Sequence, residues 1–452
     1  MKFYGRDVEY SKINSYWSQV KKGVSKILVI YGRRRIGKTR LALEAVQEFP
    51  HLYFFVTRKK ITSLLQDWTM QIKAEIEGVY GDFRRMEDLL LFLFEYSRKN
   101  PVVVIFDEFQ NFSFLNPEVY SIFQKVFDRQ KDNSSLLFIF SGSTYSLIEK
   151  IFKASKEPLF GRASEFINLS YLSIANQAEF MDDEGIPAQK EKILLFSIFD
   201  GVPKYWEELA SYNEKLFSSR LKKIFLQREW IWEEGENILK EEFGRDYASY
   251  FSILSAIAKG RRILSEIEQF TGIKEASVYL KKLETDYRLI ERRLPVTDIS
   301  KSTSRKGRYY LKDNFIAFWF AFIEPYRYLK EIGQAELAVA KIFSELDRYL
   351  GRKLEDMAIR WIIEENPLQI SFTGIGGYWD RKGEVEIDVM LLDDDRKKAY
   401  LFEVKSDKTK LTGKVLEKLR IKATKIQEIA AYKTSLGYIY PEENSLKIQL
   451  IE

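Results

Sequence analysis

The sequence predicts an α/β protein of several domains, with a parallel sheet near its start and a smaller α/β unit at its end. Three observations carry this. An apolar run at residues 27–31 opens directly into Gly32-x4-Gly37-Lys38-Thr39 and then into a helical pattern, Leu41, Ala42, Leu43, Ala45 and Val46. Two more apolar runs, 102–106 and 136–140, lie between helical patterns and read as strands buried on both faces. Strands return at 384–392 and 399–405, with polar and apolar residues alternating. The 452 residues are too many for one core, and roughly two to four domains are expected.

Composition narrows the chemistry. Cysteine is absent and His51 is the one histidine, so a disulfide framework, a zinc–thiolate site and a histidine metal cluster are excluded. The formal charge is only +6, so any nucleic-acid surface must be a local patch. The most apolar stretch, 316–323, is far too short to span a bilayer, and no signal-peptide pattern opens the chain. A soluble cytoplasmic protein without a membrane partner is expected.

Residues 3–7 lead into a helix with Val8, Ile13 and Trp17. The strand, glycine turn and helix that follow form a phosphate loop. Gly32 and Gly37 let the backbone wrap so that N–H groups face phosphate oxygens, and the helix N-terminus adds partial positive charge. Lys38 reaches the β- and γ-phosphates and Thr39 ligates Mg²⁺. ATP and Mg²⁺ are therefore the expected cofactors, held by Gly32, Arg33, Arg34, Arg35, Ile36, Gly37, Lys38, Thr39 and Arg40. The three arginines exceed what the motif requires; they touch either phosphate or a neighbouring subunit.

A strand at 52–56 and helices at 61–77 and 86–98 come next. The 102–106 strand ends in Asp107-Glu108, where ligands bind in open α/β sheets. There Asp107 would hold the Mg²⁺ shell and Glu108 would polarise the attacking water. The 136–140 strand ends in Ser141-Gly142-Ser143-Thr144. Ser143, or secondarily Thr144, would position the water; the alternative is a helix cap.

Tyr4-Gly5-Arg6, the phosphate loop, the Asp107-Glu108-Phe109-Gln110 box, Ser141-Gly142-Ser143 and Pro158-Leu159-Phe160-Gly161-Arg162 together resemble the archaeal AAA+/STAND-related ATPases over about residues 1–225. The resemblance implies an ATP-hydrolysing core at 1–172 and a helical lid at 173–245, with Gly201-Val202-Pro203 as the lid's Gly-x-Pro element. It also implies that Arg162 acts in trans on a neighbour's nucleotide, hence a homo-oligomer, with a ring as one form. The alternative is a structural arginine paired with a carboxylate.

Residues 246–312 read as three short helices, broken by Gly260 and Gly272, and a hairpin at 288–294 and 308–311. This pattern is that of a winged helix-turn-helix. Lys281 and Lys282 on the third helix and Arg292, Arg293, Arg305 and Lys306 in the wing suit phosphate contacts, so DNA is the expected partner. A packing module with solvated charge is the alternative. Aromatic residues at 313–340 mark a helical connector.

The last segment, 341–452, begins with a helix at 341–364 that carries Glu355, followed by a strand at 369–373. Alternation places Glu386 and Asp388 on one face of the next strand, and Glu403 and Lys405 on one face of its successor. On adjacent antiparallel strands Asp388, Glu403 and Lys405 converge. A helix at 414–431 and strands at 436–440 and 446–451 complete the unit. It resembles the PD-(D/E)xK nuclease fold, although Ile387 stands where the leading proline would be. The resemblance implies that Glu355, Asp388 and Glu403 hold Mg²⁺ and that Lys405 activates or orients water. The expected function is an AAA+-type ATPase coupled to DNA binding and Mg²⁺-dependent DNA cleavage. The alternative is a STAND-like, ATP-controlled switch or a DNA-binding regulator whose nuclease-like domain does not cut.

Overall fold

The computed structural model describes residues 2–143, 145–186, 188–243, 246–301, 304–442 and 445–451. The chain divides into two compact units. One holds Phe3–Tyr171 together with Val202–Lys204; the other holds Leu172–Gly201 and the chain from Tyr205 onward.

The first unit is built on five strands, β1 (Lys26–Gly32), β2 (His51–Phe55), β3 (Val102–Asp107), β4 (Leu136–Gly142) and β5 (Glu165–Leu169). They lie in the order β2-β3-β4-β1-β5, every pair parallel. The runs at 102–106 and 136–140 are uninterrupted because β3 and β4 are buried at every position. Parallel strands need crossovers, and the helices Lys38–Val46, Ile61–Glu75, Met86–Ser97 and Glu118–Gln130 supply them. The last of these buries Val119, Tyr120, Phe123, Val126 and Phe127, an i, i+3/i+4 stripe. The core beside β3 and β4 is aromatic. Phe109 stacks on Phe140 with ring centroids 4.1 Å apart, and Phe123 meets both edge-on at 5.4 Å. Such pairs are worth about 0.5–1.5 kcal/mol each beyond burial. The parallel register brings the carboxyl ends of β1, β3 and β4 to one edge of the sheet, with Tyr31 opposite Gly142.

The second unit opens with helices Ile174–Asp183, Gln189–Phe199, Phe217–Gln227 and Trp230–Phe243, then Tyr247–Ala258, Leu264–Thr271 and Ala276–Thr285. A hairpin of β6 (Ile290–Arg293) and β7 (Arg308–Leu311) follows. The aromatic segment forms Asn314–Phe318, a π-helical turn Trp319–Ile323 and Glu324–Glu331. The 31-residue helix Ala335–Glu365 then leads to a sheet of β8 (Gly374–Trp379), β9 (Glu386–Asp393), β10 (Lys398–Val404), β11 (Lys433–Glu442) and β12 (Ser445–Leu450), ordered β12-β11-β10-β9-β8. Only β10 and β11 pair in parallel.

Three expectations need correction. The strand placed at 369–373 forms instead at Gly374–Trp379. Its three glycines mask the alternation, and a Cβ on Gly374 would stand 3.2 Å from Val296 Cγ2, a tight contact. The boundary drawn at 340/341 falls inside the continuous helix Ala335–Glu365. The helix drawn at 414–431 is Gly413–Thr424, followed by a separate 3₁₀ turn. Val296, from the β6–β7 connection, belongs to the core of the last sheet with Tyr378, Ile387, Met390 and Leu401. Among the described residues no helix is long and apolar enough to cross a membrane.

Candidate nucleotide site and C-terminal carboxylate cluster

The phosphate loop is the turn from β1 into the helix Lys38–Val46. Gly37 precedes that helix at φ 92°, a left-handed conformation that favours glycine. A Cβ on Gly32 would strike the Leu169 carbonyl of β5. The Lys38 ammonium is buried and donates to the carbonyls of Gly32 (3.2 Å) and Arg33 (3.0 Å). Ile36 is buried, and its carbonyl accepts from Nη2 of Arg6 (3.3 Å), which also binds the Ser170 carbonyl (2.7 Å). Arg33 lies over the Tyr171 ring and Arg40 over Phe3. Arg34 and Arg35 are partly exposed, Arg35 at φ 66°. Pro203 approaches the loop too: its Cγ lies 3.8 Å from where a Cβ on Gly37 would stand.

Asp107, the last residue of β3, is buried among four donors. Thr39 Oγ1 (2.6 Å) and Tyr53 Oη (2.9 Å) donate to Oδ2; the Glu108 amide (3.0 Å) and the Ser141 hydroxyl donate to Oδ1. Burial, then the Asp107 charge, pushes the Tyr53 phenol up, so it stays a donor. Glu108 turns the chain sharply at φ 55°. Its Oε2 accepts from Ser143 Oγ (2.8 Å) and from the Gln110 carboxamide. Thr144 lies outside the described residues.

Arg162, expected to act on a neighbour's nucleotide, is engaged within its own unit here. Its Nε and Nη2 grip Asp128 at 3.1 and 2.6 Å, and Nη1 donates to the Phe160 carbonyl. The guanidinium is engaged by a carboxylate of its own unit, the alternative raised by the sequence.

In the C-terminal sheet, β9 and β10 bring Asp388, Glu403 and Lys405 together. Lys405 Nζ lies 2.6 Å from Glu403 Oε1 and 3.9 Å from Asp388 Oδ2, and the Val404 amide donates to Asp388 Oδ2 at 2.8 Å. Lys422 stands 3.5 Å from Glu403 Oε2. Burial pushes Asp388 up to about 6, helped by the Glu403 charge. Glu355, on the helix Ala335–Glu365, is pushed up to about 8 by burial and by Asp388, Asp356 and Glu386. Burial disfavours the Lys405 ammonium, yet Glu403 and its neighbours hold it above the ordinary lysine range. Among the described residues no three acidic or histidine side chains gather closely enough to hold a metal ion. The three-carboxylate set expected from Glu355, Asp388 and Glu403 is thus corrected: lysines stand among the acids.

The basic residues expected to face DNA divide. Lys281 and Lys282 are exposed on the helix Ala276–Thr285, and Arg305 is exposed in its turn. Arg293 is paired with Asp356 and Glu291 and lies 4.5 Å over Tyr310. Lys306 is paired with Glu428 (2.9 Å) and Asp298 (3.6 Å), and Arg292 donates to the Ser304 carbonyl. The sequence does not show the acids that the fold brings to Arg293 and Lys306, nor the carbonyl it brings to Arg292, so all three look available to phosphate there.

Residues 3–209 match the model of an ATPase domain predominantly from Archaea, and residues 319–419 match a family described as archaeal and bacterial proteins of unknown function. The uncharacterized protein MJECL04 of Methanocaldococcus jannaschii is 33% identical over 385 residues, covering 84% of this chain and 82% of the relative. The chain belongs to this family of archaeal P-loop ATPases. The Walker-type ATPase PABY2304 of Pyrococcus abyssi has a similar fold, with a TM-score of 0.55 at 18% identity, over 70% of this chain and 96% of that one. The first unit of this family member is a P-loop ATPase domain that binds and hydrolyses ATP.

Arg6, Gln110 and Ser141 stand inside the sequence motifs without a role assigned to them there, and Tyr53 lies outside every motif. Tyr53 is the most legible in retrospect. It lies near the carboxyl end of β2, which pairs with β3, and Phe55 is opposite Asp107. Alternation puts Tyr53 and Phe55 on one face.

Proposed function

We propose that ATP hydrolysis in the first unit drives a DNA-processing activity of the second, with 246–312 a winged helix-turn-helix and 341–452 a PD-(D/E)xK-like nuclease. The observation that carries the nuclease reading is Lys405, whose ammonium reaches both Asp388 and Glu403. Mg²⁺ is ordinarily held by one or two carboxylates with water completing its shell, so Asp388, Glu403 and the Val404 carbonyl are a suitable oxygen set. When bound, the ion would stabilise charge on a scissile phosphate. Lys405 would orient water or a phosphate oxygen, and Glu355 would face the site from the helix with its carboxyl mostly protonated at neutral pH. The test is a cleavage screen on plasmid, branched and single-stranded DNA with Mg²⁺ or Mn²⁺, with and without ATP. Cleavage lost in Asp388→Ala and Lys405→Ala supports the reading; intact DNA throughout removes it.

The engagement of Arg293 and Lys306 favours a second reading, in which the wing packs against the last sheet and the unit acts as an ATP-controlled switch. In either reading the DNA surface centres on Lys281, Lys282 and Arg305. Lys281→Glu/Lys282→Glu should weaken binding and flatten its salt dependence. A homo-oligomer is also proposed; a trans role for Arg162 requires it to leave Asp128, and sedimentation with and without ATP tests the assembly.

A further inference from the structure

We propose that Gln110 is a positioning residue for ATP hydrolysis, its carboxamide fixing, with the Ser143 hydroxyl, the carboxylate of Glu108. The proposal rests on Glu108 being the group that polarises the attacking water. Gln110 is only 2% exposed. Its Nε2 donates to Glu108 Oε2 and stands 3.3 Å from Ser143 Oγ, which donates to the same Oε2 at 2.8 Å. Two donors on one oxygen set the plane of the carboxylate and leave Oε1 to the water.

This arrangement is unfavourable for the glutamine itself. Gln110 Oε1 is buried without a hydrogen-bond partner, a desolvated acceptor with nothing in return. Turning the amide over would place that oxygen against the Glu108 carboxylate, so the orientation is fixed by Glu108. Room for the carboxamide comes from Gly142: a Cβ there would fall on Gln110 Oε1 and on Ile148. The turn that carries Gln110, Phe109–Asn111, is anchored in the core through the stacking of Phe109 on Phe140. A buried polar group with an unmet acceptor, given space by a glycine and held on a rigid turn, is better explained by what it does to Glu108 than by stability.

Gln110→Met keeps the length of the side chain and removes both the donor and the orphaned acceptor. The expected result is a fall in kcat of roughly 10²-fold, from a mispositioned Glu108, with KM for ATP unchanged and Tm equal to or above wild type. Ser143→Ala should lower kcat in the same way, and the double variant should lose less than the product of the two single losses, because both donors act on one oxygen. Wild-type kcat in Gln110→Met overturns the proposal. So does a lowered Tm with kcat per folded molecule retained, which would make Gln110 structural. Glu108→Gln is measured alongside. If it hydrolyses ATP at the wild-type rate, the reading of Glu108 falls and the proposal with it; an inactive Glu108→Gln beside a fully active Gln110→Met sinks the proposal alone.

Discussion

The Thr39 hydroxyl donates to Oδ2 of Asp107 across 2.6 Å, joining the first turn of the helix after β1 to the end of β3, with β4 between the two strands. Neither residue's neighbours in sequence bring this about; the parallel register does. Thr39→Val keeps the shape and removes the bond, and Lys38→Ala removes the loop's cation. Each should lower ATP turnover by roughly 10²-fold or more while far-UV circular dichroism stays that of wild type. Turnover at the wild-type rate in either would contradict the placement of the nucleotide here.

Tyr53 shares that oxygen of Asp107. Tyr53→Phe preserves the ring, and the loss of one hydrogen bond should cost about 1 kcal/mol of stability. The larger effect should be on the metal. With one donor fewer, Asp107 is less firmly held, and the Mg²⁺ concentration giving half-maximal turnover should rise several-fold while the maximum changes little. A Mg²⁺ titration of turnover at saturating ATP separates the two effects; an unchanged midpoint would make Tyr53 a packing residue.

The ATPase site was legible because its chemistry is written in contiguous motifs: Gly32 to Thr39, Asp107-Glu108, and Ser141 to Ser143. Strand alternation also foretold that Asp388, Glu403 and Lys405 converge. What it left out was set by distant partners. Nothing around Arg293 in the sequence points to Asp356, nor around Arg162 to Asp128, so both arginines looked available for a ligand. The glycines of β8 hid a strand because they interrupt its alternation, and the one at 374 sits close against the distant Val296.

The carboxylate cluster sets a pH dependence. Glu355 ionises near 8 in the folded chain against an ordinary 4.5, and Asp388 near 6 against 3.8. Both values are raised, so the folded state keeps protons that the unfolded chain releases. Their contribution is full below the ordinary values and is lost as pH rises through the folded ones. Thermal melts should therefore show stability falling between about pH 4 and pH 8, with a shallower slope in Glu355→Gln. Added Mg²⁺ should stabilise the chain more at pH 8 than at pH 6, because Asp388, which would bind it beside Glu403, is only partly ionised at pH 6. Melts that do not move with pH in this window would show that these acids are ordinary.

Arg360 ties three parts of the second unit together. Its Nη1 meets Asp200 Oδ1 at 2.5 Å, Nη2 the Leu172 carbonyl at 2.6 Å, and Nε Glu364 Oε1 at 2.7 Å. The Asp200 side chain is only 7% exposed, and burial keeps its pKa above the ordinary value even with the guanidinium in place. Arg360→Ala leaves that carboxylate unpaired and should destabilise the unit by about 3–5 kcal/mol, read from urea unfolding. Arg360→Met/Asp200→Asn, which leaves no buried charge, should lose less than Arg360→Ala alone. In Arg360→Ala the orphaned Asp200 must take up a proton to stay buried, which is harder at higher pH. The gap from wild type should thus widen from pH 5 to pH 8. A gap of equal size at both would assign the loss to the missing packing of the guanidinium instead of to the stranded charge.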